Sequence, residues 1–423
     1  MQKSSGPNLR YGFGLGGWIP RGVDLNPQEL PFPSLLTGDE YFMAQALLAA
    51  MEGLGRSNPN PCVGAVIVKE GKVLAKGATL AYGDLHAERV ALQQLDPADA
   101  AGATVYVTLE PCAGQGKQPP CTEALLAAGI ARCVVGALDP HPKANGYGLA
   151  QLRQAGIEVT TACLEAECQA WHFPFLRSIA WQRPVLIGKW AQTLDGHLAD
   201  DKGTSQWISG PESRRYTHWL RQKYDALMVG IGTVLADKPS LTVRDAPPPQ
   251  HRHPHKIVFD PEGRLRSASE AVIDALGRDL SDTGAHLFWM VDAHVGLELG
   301  RGALAKIPHH TVLLMHPGDW EENLLSLQST YQSVFSYPLQ SVLVEGGAHV
   351  LTQLLRADLL DALHVFIRAK ILGGTLHRVG RLNASGTEEV NPLRGLNEAH
   401  DFHLLASHKL GDDVVLECVR NFF

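Results

Sequence analysis

The residue types with the most chemical capacity stand in order in the first third of the chain: His86-Ala87-Glu88, then Pro111-Cys112, then Cys121. One imidazole and two thiolates supply three ligands of a tetrahedral metal centre and leave the fourth position for water. Three protein ligands are the catalytic zinc pattern, because water there titrates near neutral pH and becomes a nucleophile. Glu88 completes the set as a non-ligand that takes a proton from the water and hands it to a departing amine. Residues i and i+2 do not share a helix face. His86 and Glu88 can therefore serve one centre only if the metal sits off a helix N-terminus. Cys121 also reads as a helix start, where the positive dipole end favours thiolate.

The order matches the His-x-Glu…Pro-Cys-x-x-Cys signature of zinc deaminases, with eight residues between the cysteines instead of two. Other groups read as structural. Cys163 and Cys168 flank Leu-Glu-Ala-Glu with no histidine nearby, Cys62 opens a strand, and His251, His253 and His255 stand in a Pro-rich loop.

The elements that must position these groups follow from hydrophobic periodicity. A helix carries Tyr41, Ala44, Leu47, Leu48 and Met51 on one face. Strands at 63–68 and 72–77 turn at Glu70-Gly71, and a helix begins at His86. Strands at 104–109, 133–138 and 157–163 alternate with helices at 122–129 and 149–155, which predicts an α/β sandwich on a mixed sheet. A single connecting helix is expected over 165–181. Arg183-Pro184 reads as a seam. A second α/β unit follows, with strands at 185–190, 226–230, 256–260, 286–291, 311–315, 341–345 and 362–371, helices at 213–222 and 348–355, and a closing antiparallel pair at 402–408 and 413–419. The expected organisation is a flexible extension over 1–36, a first domain over 37–180 and a second over 181–423.

Composition bounds the partners. In 423 residues, 45% are hydrophobic and 19% charged, enough for two cores. Lys plus Arg is 37 against 44 Asp plus Glu, a net charge of -7. That disfavours a nucleic-acid partner and favours a small molecule. Seven cysteines, an odd number, point to a reducing compartment, hence the cytoplasm. No apolar run reaches the ~18 residues of a membrane helix, and the Gly- and Pro-rich start lacks the apolar core of a signal peptide.

With these residues in place, the chain resembles the bifunctional riboflavin-biosynthesis deaminase/reductase family from about Tyr41 onward. The first half is similar at Asn60-Pro61-Cys62-Val63-Gly64, His86-Ala87-Glu88, Thr108-Leu109-Glu110-Pro111-Cys112, Pro119-Pro120-Cys121 and Asp139-Pro140 with Gly146 and Gly148. The second is similar at Lys189-Trp190-Ala191, Leu194-Asp195-Gly196, Ser205-Gln206-Trp207-Ile208, Leu220-Arg221, Gly232-Thr233-Val234, Asp237-Lys238-Pro239, Leu241-Thr242-Val243-Arg244 and Val344-Glu345-Gly346-Gly347. The wide cysteine gap is itself a family trait.

The resemblance implies a cytidine-deaminase-like α/β/α sandwich followed by a dihydrofolate-reductase-like domain. It implies zinc at His86, Cys112 and Cys121, with Glu88 catalytic. Deamination of a phosphoribosyl diaminopyrimidinone would precede NADPH-dependent reduction of its ribosyl chain to ribityl. Asn60, Lys117 and Asp139 match positions that hold the first substrate. Ala191, Trp207, Thr233, Asp237 and Gly347 match cofactor positions. Ser205, Arg221, Leu241, Arg244 and Glu345 match the second substrate's contacts, and Lys189 and Glu345 the groups tied to reduction. No G-x-G-x-x-G stands between a strand and a helix, as a reductase without a Rossmann fold requires.

Four positions depart from the family pattern: Gly114 for histidine, Gln118 for threonine, Lys238 for aspartate and Thr193 for serine. Two lie in the deaminase loop, so a reductase with a weakened deaminase is the alternative within the family. A nucleic-acid-editing deaminase conflicts with the acidic balance, and a structural zinc protein would need a fourth ligand. The resemblance leaves open whether the chain forms a homo-oligomer.

Overall fold

A computed structural model of the chain describes residues 14–17, 36, 38–142, 144–244, 253–296, 306–345, 347–373 and 399–420. It separates into two units, one ending at Gln182 and the other starting at Arg183.

The first unit runs α1 (Asp39–Glu52), β1 (Gly64–Lys69), β2 (Lys72–Ala78), α2 (Ala87–Leu92), α3 (Pro97–Ala100), β3 (Thr104–Leu109) and α4 (Cys121–Ala127). It continues through β4 (Arg132–Ala137), α5 (Tyr147–Gln154), β5 (Glu158–Thr160), α6 (Glu165–Trp171) and α7 (Phe173–Trp181). Its sheet has the order β2-β1-β3-β4-β5. The β1 pairings to β2 and β3 are antiparallel, and the other two are parallel. A Cβ on Gly64 would lie 1.9 Å from the Ala46 carbonyl of α1, and one on Gly77 would lie 2.3 Å from the Ala87 carbonyl of α2. Gly64 is in register with Ala78, so Gly64 and Gly77 point to opposite faces. The two helices thus cover opposite faces, and only bare glycine backbone lets them come so close. The result is an α/β/α sandwich.

Two expectations need correcting here. The single helix over 165–181 is two, broken at His172, with Pro174 in the first turn of α7. Pro lacks an N–H and would break a continuous ladder there, whereas a first turn has no bond to lose. The extension over 1–36 is not wholly free: at 14–17 the chain makes a tight turn, Leu15 is buried, and a Cβ on Gly17 would meet Trp171 at 3.1 Å. Most of that extension, together with His251 and Gly346, lies outside the described residues.

The second unit begins with β6 (Val185–Thr193), α8 (Pro211–Lys223), β7 (Ala226–Gly230), α9 (Ile231–Asp237), β8 (His255–Phe259), α10 (Glu270–Gly277), α11 (Leu280–Thr283) and β9 (Leu287–Asp292). It ends with α12 (Ala293–Gly296), β10 (His310–Met315), α13 (Trp320–Phe335), β11 (Ser341–Glu345), α14 (Ala348–Arg356), β12 (Ala362–Arg368), β13 (His403–Leu410) and β14 (Asp413–Val419). The sheet order is β10-β9-β8-β7-β11-β6-β12-β14-β13. Pairing is parallel from β10 to β12 and antiparallel at β12/β14 and β14/β13. Every residue of β7, β8 and β11 is buried, as strands covered on both faces must be.

Helix α8 is fastened across four strand positions of this sheet by polar groups. Asp413 accepts from Gly210 N and Ser213 Oγ, each at 2.6 Å, and so ties down the helix start. Tyr216 donates to Glu417 at 2.6 Å, and Tyr224 meets His364 Nε2 at 2.8 Å. Arg221 donates to both oxygens of Glu345 at 2.8 Å. Glu345, Lys189, His364 and Glu417 are in register on adjacent strands, so these partners form one row across the sheet.

Candidate active sites

The three metal-ligand types expected in the first unit come together. His86 is the extended N-cap of α2 (φ -78°, ψ 160°) and therefore stands outside the helix, while Glu88 lies in its first turn. This meets the facing objection, because the centre sits off the helix end. Cys112 follows β3, and Cys121 is the first residue of α4. The loop between them closes through Cys121 N donating to Cys112 Sγ (3.3 Å) and Thr122 N to the Cys112 carbonyl (3.2 Å). His86 Nδ1 lies 3.5 Å from Cys112 Sγ and 3.4 Å from Cys121 Sγ. Bonds of the usual zinc lengths at a tetrahedral angle separate N and S ligands by about 3.6 Å. All three ligand atoms lie within 4.8 Å of one another, and among the described residues no other such group occurs. The donor set therefore fits zinc.

The local electrostatics favour a cation. A hydrogen bond from the Cys121 thiol, supported by His86 and the Cys121 N–H, outweighs burial and holds Cys112 down at about 4, a thiolate. Cys121 is pushed well up, first by its bond to that thiolate and then by burial. Glu88, 3% exposed, is pushed up to about 7 by burial and by the Cys112 charge.

The expected substrate positions stand on other segments of the same unit. Asn60 is half-buried before β1, Asp139 half-buried after β4, and Lys117 exposed in the cysteine loop. Two residues of this neighbourhood take parts that no motif assigned them: Tyr82, and Glu110, quoted above only within Thr108-Leu109-Glu110-Pro111-Cys112. The Lys117 ammonium lies 3.7 Å from the centroid of the Tyr82 ring, a cation–π contact. Gln118 Nε2 also donates to the Gly83 carbonyl at 2.8 Å, so the loop is tied to the segment before His86. Glu110 Oε1 accepts from Gly146 N at 2.9 Å and Gly148 N at 3.2 Å. Only the tertiary approach of distant loops reveals either contact. Gly114 is exposed, and a Cβ there meets nothing within 4 Å.

In the second unit the expected positions gather where ligands of parallel sheets bind, at the carboxyl ends of strands. Lys189 and Ala191 lie on β6, Glu345 ends β11, Thr233 and Asp237 lie on α9 directly after β7, and Gly347 caps α14. A Cβ on Gly347 (φ +63°) would lie 3.3 Å from Thr233 Oγ1, so two of the expected positions adjoin. Bare backbone at a helix N-terminus suits a phosphate, which makes the residues present compatible with a dinucleotide. Trp207 is 65% exposed beneath the Arg214 guanidinium (4.6 Å), so it is a surface ring and not part of the core. Ser205 lies two residues before it in the same loop. Leu241 is buried at φ +53°, and Arg244 donates to Ser240 Oγ. Burial pushes the Lys189 ammonium down, opposed by Glu345. Glu345 is pushed up by burial, but the Arg221 charge and hydrogen bonds win and hold it at about 2. Arg221 and Glu345 are thus an ion pair before any ligand arrives.

Fold and site together define a zinc-type deaminase followed by a dihydrofolate-reductase-like NADPH reductase in one chain. Residues 36–137 match the cytidine and deoxycytidylate deaminase zinc-binding region, and residues 184–415 match the RibD C-terminal domain. The chain belongs to the RibD family of riboflavin biosynthesis. It is 36% identical to riboflavin biosynthesis protein RibD of Escherichia coli (strain K12), covering 90% of this chain and 99% of that one. It is 35% identical to the RibD of Aquifex aeolicus (strain VF5), covering 89% and 97%. Among solved structures, RibD of Acinetobacter baumannii (form 1) matches with a TM-score of 0.74 at 31% identity over 90% of this chain and 98% of that one. A diaminohydroxyphosphoribosylaminopyrimidine deaminase/5-amino-6-(5-phosphoribosylamino)uracil reductase of Thermotoga maritima matches at 0.72 and 32% over the same shares.

Proposed function

We propose that the two units carry out consecutive steps on one phosphoribosyl pyrimidine: loss of a ring amino group as ammonia, then reduction of the ribosyl chain to ribityl. The observation that carries this reading is the set His86, Cys112 and Cys121 at zinc-ligand spacing with buried Glu88 beside it. His86, Cys112 and Cys121 would hold the zinc, which supplies, when bound, a Lewis acid that makes water acidic. Glu88 takes the proton from the attacking water and delivers it to the leaving amine. Asn60 and Asp139 orient the pyrimidine, and Lys117, steadied by Tyr82, meets the 5'-phosphate.

In the second unit Ala191, Trp207, Thr233, Asp237 and Gly347 hold NADPH, which supplies the hydride. Ser205, Leu241 and Arg244 hold the sugar phosphate, with Arg221 and Glu345 as a paired wall. Lys189, in register with Glu345, provides a proton to the reacting sugar. The alternative of a reductase with a weakened deaminase finds no support, since the His86, Cys112 and Cys121 ligand atoms lie within 4.8 Å of one another. None of the seven cysteines is joined in a disulfide, which supports a cytoplasmic enzyme. Among the described residues no helix is long and apolar enough to cross a membrane.

The direct test is incubation with the diaminopyrimidinone ribosyl phosphate, with and without NADPH, following products by mass. Ammonia and the uracil form are expected without NADPH, and the ribityl product only with it. Zinc-loaded protein that releases no ammonia at saturating substrate would overturn the first step.

A further inference from the structure

One buried carboxylate takes no part in the scheme above. Glu110 follows β3 directly, two residues before Cys112, and is 4% exposed. Its own N–H donates to the Ala137 carbonyl at the end of β4 (3.0 Å). Its side chain then reaches into the loop that β4 leads into. Oε1 accepts from Gly146 N and Gly148 N, and Oε2 accepts from Gly146 N at 3.0 Å and Asp139 N at 3.4 Å. Gly146 (φ +87°) is the N-cap of α5, so the carboxylate also sits at the positive end of that helix. The loop cannot slide away from this anchor. A Cβ on Gly148 would come within 2.2 Å of the Pro111 carbonyl, and Asp139 closes the loop on itself, accepting from His141 N at 2.8 Å and Asn145 N at 3.1 Å.

Among the described residues no cationic side chain pairs with Glu110. A buried carboxyl group left without hydrogen bonds is costly, and main-chain N–H groups satisfy it here. Loop closure by itself needs only a neutral acceptor. The carboxylate adds a second oxygen, which lets one side chain fix the start of the loop at Asp139 and its end at Gly146–Gly148 together. Both are thereby fixed relative to Pro111-Cys112.

We propose that Glu110 is a positioning residue for deamination: its carboxylate holds Asp139 at a set place relative to the Cys112 segment, so that the substrate's ring is presented to the metal centre. This rests on the reading of Asp139 as a substrate contact. Glu110 never touches substrate. It acts through Asp139.

The test is a double-mutant cycle on the zinc-loaded full chain with Glu110→Gln, Asp139→Asn and both together, reading zinc content, Tm, and kcat and KM for ammonia release. The amide introduced by Glu110→Gln would turn an NH2 toward N–H donors and lose half the anchor. The expected result is one zinc retained, KM raised about tenfold with kcat within about twofold, and a double variant no worse than Asp139→Asn alone. A Glu110→Gln effect that adds in full to Asp139→Asn, or that leaves KM unchanged while Asp139→Asn raises it, overturns the positioning role and spares the reading of Asp139. An unchanged KM in Asp139→Asn overturns that reading and the positioning role with it. If Glu110→Gln loses zinc or unfolds, Glu110→Asp, which keeps the charge and draws it back by one carbon, is read by the same comparisons.

Discussion

In the proposed scheme the ligands and the proton carrier of the first unit are separable in function, because only His86, Cys112 and Cys121 would bind metal. Cys112→Ser is expected to lose both zinc and ammonia release while leaving NADPH oxidation on the uracil intermediate intact. Glu88→Gln is expected to keep a full equivalent of zinc and lose deamination by about 10²- to 10⁴-fold. Metal analysis beside the two activity assays checks both, and zinc loss in Glu88→Gln would make that residue a support for the ligands. The departure at Gly114 is open to repair, since a Cβ there meets nothing within 4 Å. Gly114→His is expected to lower the KM for ammonia release by about tenfold, the worth of one hydrogen bond to a charged group, with kcat unchanged. The cluster of His86, Cys112 and Cys121 was legible because rare residue types stood at meaningful intervals. Tyr82 and Glu110 were not: a tyrosine's use as a seat for Lys117, or a glutamate's as an anchor for a loop, exists only once distant backbone has come together.

Among the elements, α8 carries the clearest energetic consequence. Its partners Glu345 and Glu417 are pushed up by burial yet held at about 2, the first by Arg221 and the second by His364, His408 and Tyr216. A carboxylate whose folded value lies below its unfolded one near 4.3 contributes stability above that unfolded value. The contribution is lost as pH falls through about 2. Urea unfolding should therefore show stability dropping from about pH 4.5 toward 2. Glu417→Gln should be weaker at neutral pH by about 3 kcal/mol, the scale of a broken buried pair, and flatter across the acid window. An equal acid slope in wild type and variant would remove Glu417 from this account. Sequence patterning shows α8 through its periodicity, yet α13 was missed despite readable signals. Asp319 caps it by accepting from Glu322 N at 3.0 Å, and Trp320, Asn323, Leu324, Leu327 and Tyr331 fall on one buried face. The break at His172 needed attention to Pro174 as a starting residue of a second helix.

At the scale of the molecule, the chemistry divides with the chain. Lys189→Ala is expected to slow ribosyl reduction by about 10²-fold or more while ammonia release stays at the wild-type rate, because the zinc ligands lie in the other unit. Parallel loss of both activities, checked against Tm, would signal unfolding or interdependent units. Strand positions were readable one by one, but the order of the second sheet was not, since neighbours far apart in sequence leave no local trace. That order bears on synthesis. The first unit's strands follow one another closely along the chain, so its sheet can close as the ribosome delivers it. The strand β6, made early, finds its two neighbours only when Ser341–Glu345 and Ala362–Arg368 emerge. Until then it carries two unpaired edges, the templates on which chains stick to one another. A polypeptide released before residue 341 would leave the ribosome with a formed metal site on an aggregation-prone tail. A chain truncated before residue 341 is therefore expected in the insoluble fraction, where one carried past Ala362–Arg368 stays in the soluble one.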